Sequence, residues 1–386
     1  MKIKMISCWY ATSFGEYTDG LRGALERKLG SEVGVISSNC GCGDSMEIKG
    51  QFQDHRCEFF RFPHVYYFKS SNPVKYWLRT KAFRFMYRER AKRYLHHADD
   101  AEILHFHQVL NAFGSAAVFS WLKLPAHAAR VVTVHELDQY QLDCVDSNLA
   151  YNLADRIIVH ASDLRQKLLD MGVDGTRIDL VEHGIELGPP ATGVKHGIIF
   201  YGGHTIYRGK GLDNLFQAMA TIRNKLGDDT PHLVIHGHYG DVAPESTLKL
   251  VEQFDLTGLV HWRHQIGVKE TADAYREAML CVLPYTGSFG GWPAVNALSY
   301  GATVIATKCA GLPDHLGDAA QWIPQNDTSA LAEAILNLLS DEPTRKTLST
   351  RGRARAEAMF GWDTIAAKTI ESYRAALAHK AALSRK

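Results

Sequence analysis

Short apolar runs alternate with longer amphipathic stretches through nearly the whole 386-residue chain. In one such stretch, Leu164, Leu168 and Met171 recur at helical spacings of four and three. Continuous apolar strands separated by helices indicate parallel sheets that are covered on both faces. The predicted strands are Ile3–Ser7, Val33–Ser37, Ile103–Phe106, Val131–His135, Arg156–His160, Asp179–Glu182, Gly197–Tyr201, Leu233–His236, Leu259–Trp262, Met279–Leu283, Thr303–Ala306 and Gln321–Ile323. They are too many for one mononucleotide-binding sheet, so the pattern predicts an α/β fold with two Rossmann-like domains.

A proline- and glycine-rich segment interrupts this alternation near the middle of the chain. Two prolines and two glycines lie between Gly188 and Gly193, a composition that is typical of a hinge. The predicted domains are therefore residues 1–188 and 194–361. Helical spacing continues over 362–386, at Ile365, Ile370 and Tyr373, and predicts a C-terminal helix.

Composition excludes several classes of protein. The apolar fraction is 46%, the charged fraction is 22% and the net charge is +1, so no general signature for nucleic acid or membrane binding is present. No run reaches the roughly 20 apolar residues that span a bilayer, and residues 1–8 lack the long apolar region of a secretory signal. The seven cysteines are odd in number, which favours free thiols in a reducing compartment, and the chain is predicted to be cytoplasmic.

Metal ligands show no recognisable spacing in the sequence. Cys40 and Cys42 form a C-x-C pair in a glycine-rich segment, but no second pair follows at a suitable distance. The 19 histidines are scattered along the chain and do not predict a metal cluster. We therefore expect no metal and no bound cofactor.

Chemistry is expected in the loops that follow the strands, because open parallel sheets bind ligands outside the carboxyl ends of their strands. Two such domains facing each other would form a cleft between them. The richest loop runs over 201–213 as YGGHTIYRGKGLD and precedes a helical pattern. Its glycines allow close backbone approach, and Arg208 and Lys210 supply positive charge beside a helix start. This combination predicts a diphosphate site; the alternative is a solvated basic turn.

A second glycine-rich segment runs over 287–301 as GSFGGWPAVNALSYG. It follows a predicted strand and leads into a short helix. Backbone amides of Gly290 and Gly291 could hold a phosphate or a sugar hydroxyl, with Ser288 and Asn296 beside them. The alternative is a strand–helix connection in which glycine serves packing alone.

Taken in order, these segments resemble the signature of glycosyltransferase family 4. That signature is a glutamate, G-F-G-x-P, a second glutamate and A-x-A-x-G-x-P-V-I-A. The matching parts here are Phe289-Gly290, Pro293, Ala297, Gly301, Val304-Ile305-Ala306 and Gly311-Leu312-Pro313. Residues 155–159 and 181–185 resemble two further family elements, and 362–373 resembles its terminal helix, which crosses back to the N-terminal domain.

The chain departs from the family pattern at three positions. Ser288 stands where the family has the glutamate that faces the donor sugar, and Asn296 where it has the glutamate that grips the ribose. His204 replaces the arginine of the family's G-R pair, and Arg208 could supply the charge instead. One extra residue, Gly291 or Trp292, lies before Pro293.

The resemblance implies a GT-B fold, with an acceptor-binding N-terminal domain and a nucleotide-sugar-binding C-terminal domain. It implies metal-independent transfer of a hexosyl-type sugar, with retention of configuration, to a glycan or lipid-linked acceptor in cell-surface glycan or glycolipid synthesis. The implied catalytic residues are His107, Arg208 and Lys210. The implied donor-binding residues are Gly15, Gly203, His204, Ser288, Phe289, Gly290, Gly291 and Asn296.

His107 owes its assignment to its position at the end of a predicted strand. It matches the histidine that lies beside the reacting sugar in the family. His105 is expected on the opposite face of that strand, in a structural role. Gly15 is expected in the loop after the first strand, where it would admit the donor phosphate or the acceptor.

A basic, aromatic segment over 69–94 carries nine lysines and arginines against the single acid Glu89. It predicts either a membrane-surface or anionic-acceptor helix, or a half-buried helix with a solvated basic face. The residues assigned to acceptor or membrane binding are Lys75, Arg79, Lys81, Arg84 and Arg88. A peripheral position on the inner face of a membrane follows from the first alternative.

Two other functions stay open at this stage. One is a nucleotide-sugar epimerase, and the other is a binding or scaffold subunit that has lost catalysis, which the changes at His204, Ser288 and Asn296 favour. In each case the expected partner is a nucleotide sugar, and no nucleic acid is expected.

Overall fold

The computed structural model of the protein describes residues 1–7, 13–39, 57–61, 74, 98–107, 124–135, 137, 151–189, 197–206, 208–239, 244–263, 268–287 and 291–385. The strands are β1 Ile3–Ser7, β2 Val33–Asn39, β3 Cys57–Arg61, β4 Ile103–His107, β5 Ala129–Val134, β6 Arg156–Val159, β7 Ile178–Leu180, β8 Ile198–Ile206, β9 Leu233–Tyr239, β10 Val260–Arg263, β11 Leu280–Leu283, β12 Thr303–Thr307 and β13 Ala320–Ile323. The helices are α1 Ser13–Leu29, α2 Ser162–Asp170, α3 Leu212–Leu226, α4 Pro244–Gln253, α5 Val268–Glu277, α6 Trp292–Ser299, α7 Leu312–Leu316, α8 Thr328–Ser340, α9 Glu342–Met359 and α10 Trp362–Leu383.

The chain divides into two compact units. Unit 1 contains Met1–Gly184 and Trp362–Lys386, and unit 2 contains Ile185–Gly361. The predicted boundary at 188–194 lies later, because Ile185 already belongs to unit 2. Its amide donates to the carbonyl of Phe360 (2.9 Å), and its side chain joins the unit 2 core. Residues 190–193 of the predicted hinge lie outside the described part of the chain.

Unit 1 is built on a seven-stranded sheet in the order β3-β2-β1-β4-β5-β6-β7. All six neighbouring pairs are parallel. The central strands are buried on both faces, as the continuous apolar runs predict; every residue of β4 is buried. The strand β3 is missing from the sequence prediction because its segment, C-E-F-F-R, is short and has charged residues within it and at its end.

The C-terminal helix α10 packs in unit 1 against α1, β5 and β6. Its apolar positions Ile365, Ile370 and Tyr373 are buried. The ring of Trp362 fits between two glycines: a Cβ on Gly20 or Gly184 would lie 2.1 or 2.2 Å from ring atoms. Any larger residue at either position would displace this ring and the start of α10.

Unit 2 is a six-stranded parallel sheet in the order β10-β9-β8-β11-β12-β13. This is the strand order of a dinucleotide-binding fold, in which the order reverses beside the first strand. The reversal lies between β8 and β11, and the corresponding reversal in unit 1 lies between β1 and β4. In each unit, therefore, the loops that follow these two strands mark the expected ligand edge.

Within the described part of the chain, no helix combines the length and apolar content that crossing a membrane requires.

Candidate active site

Two glycine-rich loops meet at the strand-order reversal of unit 2. One follows β8 and the other follows β11. The amides of Thr286 and Gly287 both donate to the carbonyl of Gly209, at 2.8 and 3.1 Å. The backbones of the two loops therefore form one surface, although these residues lie almost eighty positions apart in the sequence.

Gly211 allows the two loops to come this close. It has φ of +69°, and a Cβ there would lie 2.0 Å from the carbonyl oxygen of Pro284. Gly211 is also the N-cap residue of α3, whose buried Leu215 and Phe216 anchor the helix in the core. The helix therefore starts directly beside the joined loops, and the amides of its first turn carry partial positive charge.

Lys210 lies immediately before this helix start and is only 5% exposed. Its Nζ lies 4.4 Å from the ring centroid of Tyr285 and donates to the Tyr285 hydroxyl at 3.4 Å. Tyr285 is itself fully buried after β11, and its carbonyl accepts a hydrogen bond from Thr307 Oγ1 (2.6 Å). Tyr285 thus holds the lysine side chain, a role that sequence reasoning missed because only the fold joins the two loops.

The second donor segment begins α6 at the same edge. The N-cap residue is Gly291, and a Cβ there would lie 1.8 Å from the ring of His315. His315 is 1% exposed, so its ring is enclosed by protein and cannot easily shift to make space for a Cβ. Glycine at 291 is therefore required by packing, whichever ligand the turn binds.

Asn296 lies on α6 and is 5% exposed. Its Nδ2 donates to the carbonyl of Trp292 at 2.9 Å, one turn earlier in the same helix. The amide nitrogen is thus committed to the helix, and the amide oxygen is the atom that a ribose hydroxyl could reach. This contact supports a packing role for Asn296 as the alternative to donor binding.

The remaining predicted donor residues have mixed outcomes. Gly203 and His204 were expected in a loop, but they lie in β8, whose register with β9 shifts between Tyr201 and Thr205. The prediction ended this strand at Tyr201 because glycines normally break strands, and here they accompany the irregularity instead. Arg208 begins a single 3₁₀ turn that ends at Lys210. The assigned residues that lie outside the described part of the chain are Ser288, Phe289, Gly290, Lys75, Arg79, Lys81, Arg84 and Arg88.

In unit 1, His107 ends β4 beside the strand-order reversal and is 1% exposed. Its Nδ1 is 2.7 Å from the hydroxyl of Thr18 on α1, and its Nε2 has no hydrogen-bond partner among the described residues. Gly15 is buried in the first turn of α1, so the expectation that it lies in the loop after β1 is wrong. The helix starts at Ser13, earlier than the sequence pattern indicated.

His105 lies on the same face of β4 as His107, and the expectation that the two point apart is wrong. Residues two apart in a strand share a face, and the two ring centroids are 4.5 Å apart. The ring nitrogens of His105 are 2.7 Å from the hydroxyls of Tyr373 and Thr133. One nitrogen therefore contacts α10 and the other the neighbouring strand β5.

Three further histidines gather beside His107, although they are scattered in the sequence. They are His135, His160 and His183, and each directly follows or closely follows the end of a parallel strand. Each of the three rings lies between 4.6 and 5.3 Å, centroid to centroid, from the buried ring of Tyr17. The signal was available in the sequence, because the carboxyl ends of neighbouring parallel strands meet at one edge.

Four buried histidines at this edge are uncharged at neutral pH. Burial lowers the pKa of His107 to about 3 and that of His160 to about 4, and repulsion from a charged His160 adds to the effect at His107. Burial and the neighbouring imidazoles hold the pKa of His105 and His135 well below its usual value. A charged imidazole would have to give up its hydration on burial, which favours the neutral forms.

Glu16, in the first turn of α1, shows the opposite shift. Burial raises the pKa of its carboxyl group to about 7. Close to neutral pH it therefore exists in both forms, as acids and bases in functional sites often do.

Comparison with known proteins identifies the class. The family model described as Glycosyltransferase Family 4 matches residues 15–188, and the model described as Glycosyl transferases group 1 matches residues 195–341. The first match covers most of unit 1, and the second covers most of unit 2. The chain belongs to glycosyltransferase family 4 and has the GT-B fold.

Individual relatives are more distant. The chain is 31% identical over 179 residues to a D-inositol 3-phosphate glycosyltransferase of Streptomyces avermitilis, a match that covers 44% of this chain and 38% of that protein. It is 26% identical over 246 residues to the MMP alpha-(1->4)-mannosyltransferase of Mycolicibacterium hassiacum, covering 62% and 58% of the two chains. The matches thus span less than two thirds of the length of these curated relatives.

Among solved structures, HepE of Anabaena in complex with UDP-glucose superimposes with a TM-score of 0.69. The match covers 96% of this chain and 100% of that chain at 15% identity. Similarity at this level of identity concerns the fold.

Proposed function

We propose that this protein transfers a hexosyl-type sugar from a nucleotide-sugar donor to a glycan or lipid-linked acceptor, with retention of anomeric configuration. The donor diphosphate would bind unit 2, at the edge formed by the loops after β8 and β11. Membership of glycosyltransferase family 4 supports this activity, and so does the UDP-glucose bound by the structurally similar HepE.

The observation that carries the proposal is the position of Lys210. A lysine that is 5% exposed lies directly before Gly211, the glycine with positive φ that caps α3, with its Nζ over the ring of Tyr285. A buried cation beside a helix start is well placed to bind an anion. In the reaction, negative charge develops on the departing diphosphate, and Lys210, Arg208 and the loop amides would stabilise it as it forms.

His107 would contribute as a neutral group. With a pKa near 3 it carries no extra proton at neutral pH, so it cannot serve as a general acid. Its Nδ1 is fixed by Thr18, and its Nε2 is the atom available to a sugar hydroxyl or ring oxygen. We infer a role in holding the donor sugar while the glycosidic bond breaks.

The charge on the leaving group would be balanced by side chains and amides, without a metal bridging the phosphates. Lys210 and Arg208 give two positive charges for a diphosphate, and the helix start adds its dipole. No carboxylate nucleophile is assigned among the site residues. This accords with a same-face displacement in which the leaving phosphate accepts the acceptor's proton.

The basic segment over 69–94 would bring the protein to its acceptor on the inner face of a membrane. Each lysine or arginine near an anionic surface contributes about 1 kcal/mol, so reversing four charges should abolish sedimentation with anionic vesicles. The variant for this experiment changes Lys75, Arg79, Arg84 and Arg88 to Glu, with vesicles of neutral lipid as the control. Failure of the wild type to sediment with anionic vesicles contradicts a membrane-surface role.

One observation favours a second candidate, a nucleotide-sugar-binding subunit without catalysis. Asn296 stands in the position of the ribose-gripping glutamate. Its Nδ2 donates to the Trp292 carbonyl, so it offers a ribose hydroxyl a neutral amide oxygen in place of a carboxylate. A neutral group that is already hydrogen-bonded offers less to a donor than a carboxylate does.

A panel of UDP-, GDP- and ADP-sugars tests both candidates. We expect release of the nucleoside diphosphate from at least one donor, with faster release when a membrane or glycan extract supplies the acceptor. Slow release without acceptor is the hydrolysis that transferases commonly show. Tight donor binding with no release under either condition would support the non-catalytic subunit and contradict transfer.

A further inference from the structure

We propose that His135, His160 and His183 bind a divalent transition-metal ion, with zinc as the favoured occupant. These three residues are called the tri-histidine site below. Their nearest ring nitrogens all lie within 4.8 Å of one another, and all three side chains are buried. The site belongs to unit 1, and the inference does not depend on the proposed glycosyl transfer.

The backbone selects the ring nitrogens that face the metal. Nδ1 of His160 is 2.8 Å from the carbonyl oxygen of Val181, and Nδ1 of His183 is 2.8 Å from that of Gly184. A carbonyl can only accept, so both Nδ1 atoms carry the ring proton. In a neutral imidazole the other nitrogen, Nε2, then presents a lone pair. Such carbonyl partners orient metal-ligating histidines in the same way.

The spacing of one pair of ligand atoms agrees with tetrahedral coordination. Nε2 of His160 is 3.1 Å from Nδ1 of His135. Zinc–nitrogen distances of about 2.0–2.1 Å place two ligand nitrogens of a tetrahedral site roughly 3.3 Å apart. In the absence of metal, His135 donates its Nδ1 proton across this gap. On binding, His135 would take the tautomer protonated on Nε2, so the three neutral rings coordinate without net proton release.

The chemistry of the ligands selects the metal. All three donors are imidazole nitrogens, which suit zinc, copper, nickel and iron, whereas magnesium and calcium prefer oxygen ligands. Glu182, which directly precedes His183, is ion-paired with Lys368. The ion inferred here is therefore of a different chemical class from the magnesium that bridges phosphates in many nucleotide enzymes.

The surroundings keep the ligands ready to bind. The ring of Tyr17 packs against all three imidazoles and restricts their rotation. The metal would tie together the chain segments that follow β5, β6 and β7. Three protein ligands also leave a fourth position for water or another ligand.

Cobalt(II) provides a direct test on the full-length protein, because tetrahedral cobalt has intense visible absorption bands. Protein stripped with a chelator should bind one equivalent of Co²⁺ with these bands, and Zn²⁺ should displace it. Zinc at about 100 times its dissociation constant should also raise the Tm of unit 1 by roughly 5 °C or more. Absence of both effects in the wild type overturns the proposal and leaves the histidines as a hydrogen-bonded network only.

Two variants locate the metal. His160→Gln removes a ligand and should weaken binding by roughly 100-fold or more, with the zinc-dependent shift in Tm lost. The matched control is His261→Gln, since His261 and His232 form a second histidine pair in unit 2, with ring nitrogens 2.9 Å apart. Because each variant is compared with itself in chelator and in zinc, a general loss of stability does not obscure the result. Loss of binding in His261→Gln, with retention in His160→Gln, would contradict the tri-histidine site.

If His160→Gln does not fold, His183→Gln replaces it in the same comparison.

Discussion

The two units have similar sheets, and the expected ligand edge lies at the same place in each. The side chains at the two edges differ in their chemistry. In unit 1, the ends of β4, β5, β6 and β7 bring together uncharged imidazoles packed around Tyr17. In unit 2, the loops after β8 and β11 bring together glycines, the start of α3 and Lys210. The fold therefore fixes where ligands bind, and the residues at the strand ends decide what kind of ligand each edge can hold.

This difference assigns a separate task to each unit. A buried lysine at a helix start stabilises an anion, whereas buried neutral imidazoles offer hydrogen bonds or metal coordination without charge. Placing both sets at one edge would leave imidazoles beside a cation, which lowers their pKa further and adds no binding energy. Each prediction below changes a residue or a condition that acts mainly on one of the two units.

Removing the cation of unit 2 should have the largest effect. Lys210→Ala should reduce turnover by about 100-fold or more, because one charged partner of the developing diphosphate charge is lost. The measurement is the initial rate of nucleoside diphosphate release, with folding checked by circular dichroism. Lys225→Ala, on the exposed far end of α3, is the matched control and should retain wild-type turnover. Equal rates in both variants would falsify the role of Lys210.

Acid should weaken unit 1 more than unit 2, although burial also lowers the pKa of one unit 2 histidine, His236, to about 4. His107 and His160 have folded pKa values of about 3 and 4, against about 6.5 in an unfolded chain. The unfolded state therefore binds more protons between these values, and stability is lost as the pH falls below about 6.5. At about pH 5, each of the two histidines should cost roughly 2 kcal/mol, with His105 and His135 acting in the same direction.

Two acids near the cluster modify this loss. Glu16, with its pKa raised to about 7, binds a proton more readily when folded, so it adds stability on acidification and offsets about 2 kcal/mol. Glu182 raises the pKa of His160 slightly through its charge. We expect a net loss of about 2 kcal/mol or more by about pH 5 in chelator, with Glu16→Gln steepening it. Hydrogen exchange at acid pH, corrected for the intrinsic rate, should report faster opening in 129–135 and 156–160 than in the strands of unit 2. A uniform change across both units would contradict a larger loss of stability in unit 1.

The sequence predicted the sheets better than it predicted the sites. Continuous apolar runs such as those of β11 and β12 identify buried parallel strands, because every residue of both strands is buried. The histidines failed to predict a cluster because they are separated by more than twenty residues, and only strand order makes neighbours of them. Gly203 and His204 were assigned to a loop because glycine weakens a strand, whereas the irregular pairing with β9 accommodates both.

Side-chain contacts between loops were beyond sequence reasoning for the same reason. Lys210 was recognised from its local pattern of glycines, but its contact with Tyr285 joins positions 75 residues apart. No local periodicity encodes such a pair. It follows from the reversal of strand order between β8 and β11, which the sequence pattern does not specify.

The support that Tyr285 gives to Lys210 should be smaller than the contribution of the lysine itself. Tyr285→Phe keeps the ring beneath Nζ and removes the hydroxyl at 3.4 Å. Loss of one hydrogen bond to a charged group should lower turnover by about tenfold, with little change in folding. Tyr300→Phe, another buried tyrosine of unit 2, is the control and should leave turnover unchanged. An equal loss in both variants would mean that Tyr285 only packs the core.

The smallest expected effect concerns Asn296, because this residue is neutral and would bind only a ribose hydroxyl. A charged acceptor to a hydroxyl contributes about 1.5–3 kcal/mol and a neutral one about 0.5–1.5 kcal/mol, a difference of roughly fivefold in affinity. Asn296→Glu should therefore keep or tighten nucleoside diphosphate binding, and Asn296→Leu should weaken it. Calorimetric titration of uridine, guanosine and adenosine diphosphates into the three proteins measures this directly. If Asn296 serves only the Trp292 carbonyl, Leu lowers stability and leaves all three affinities equal. In that case α6 would contribute only its backbone to the donor edge. The side chains that bind the donor there would come from the loop after β8.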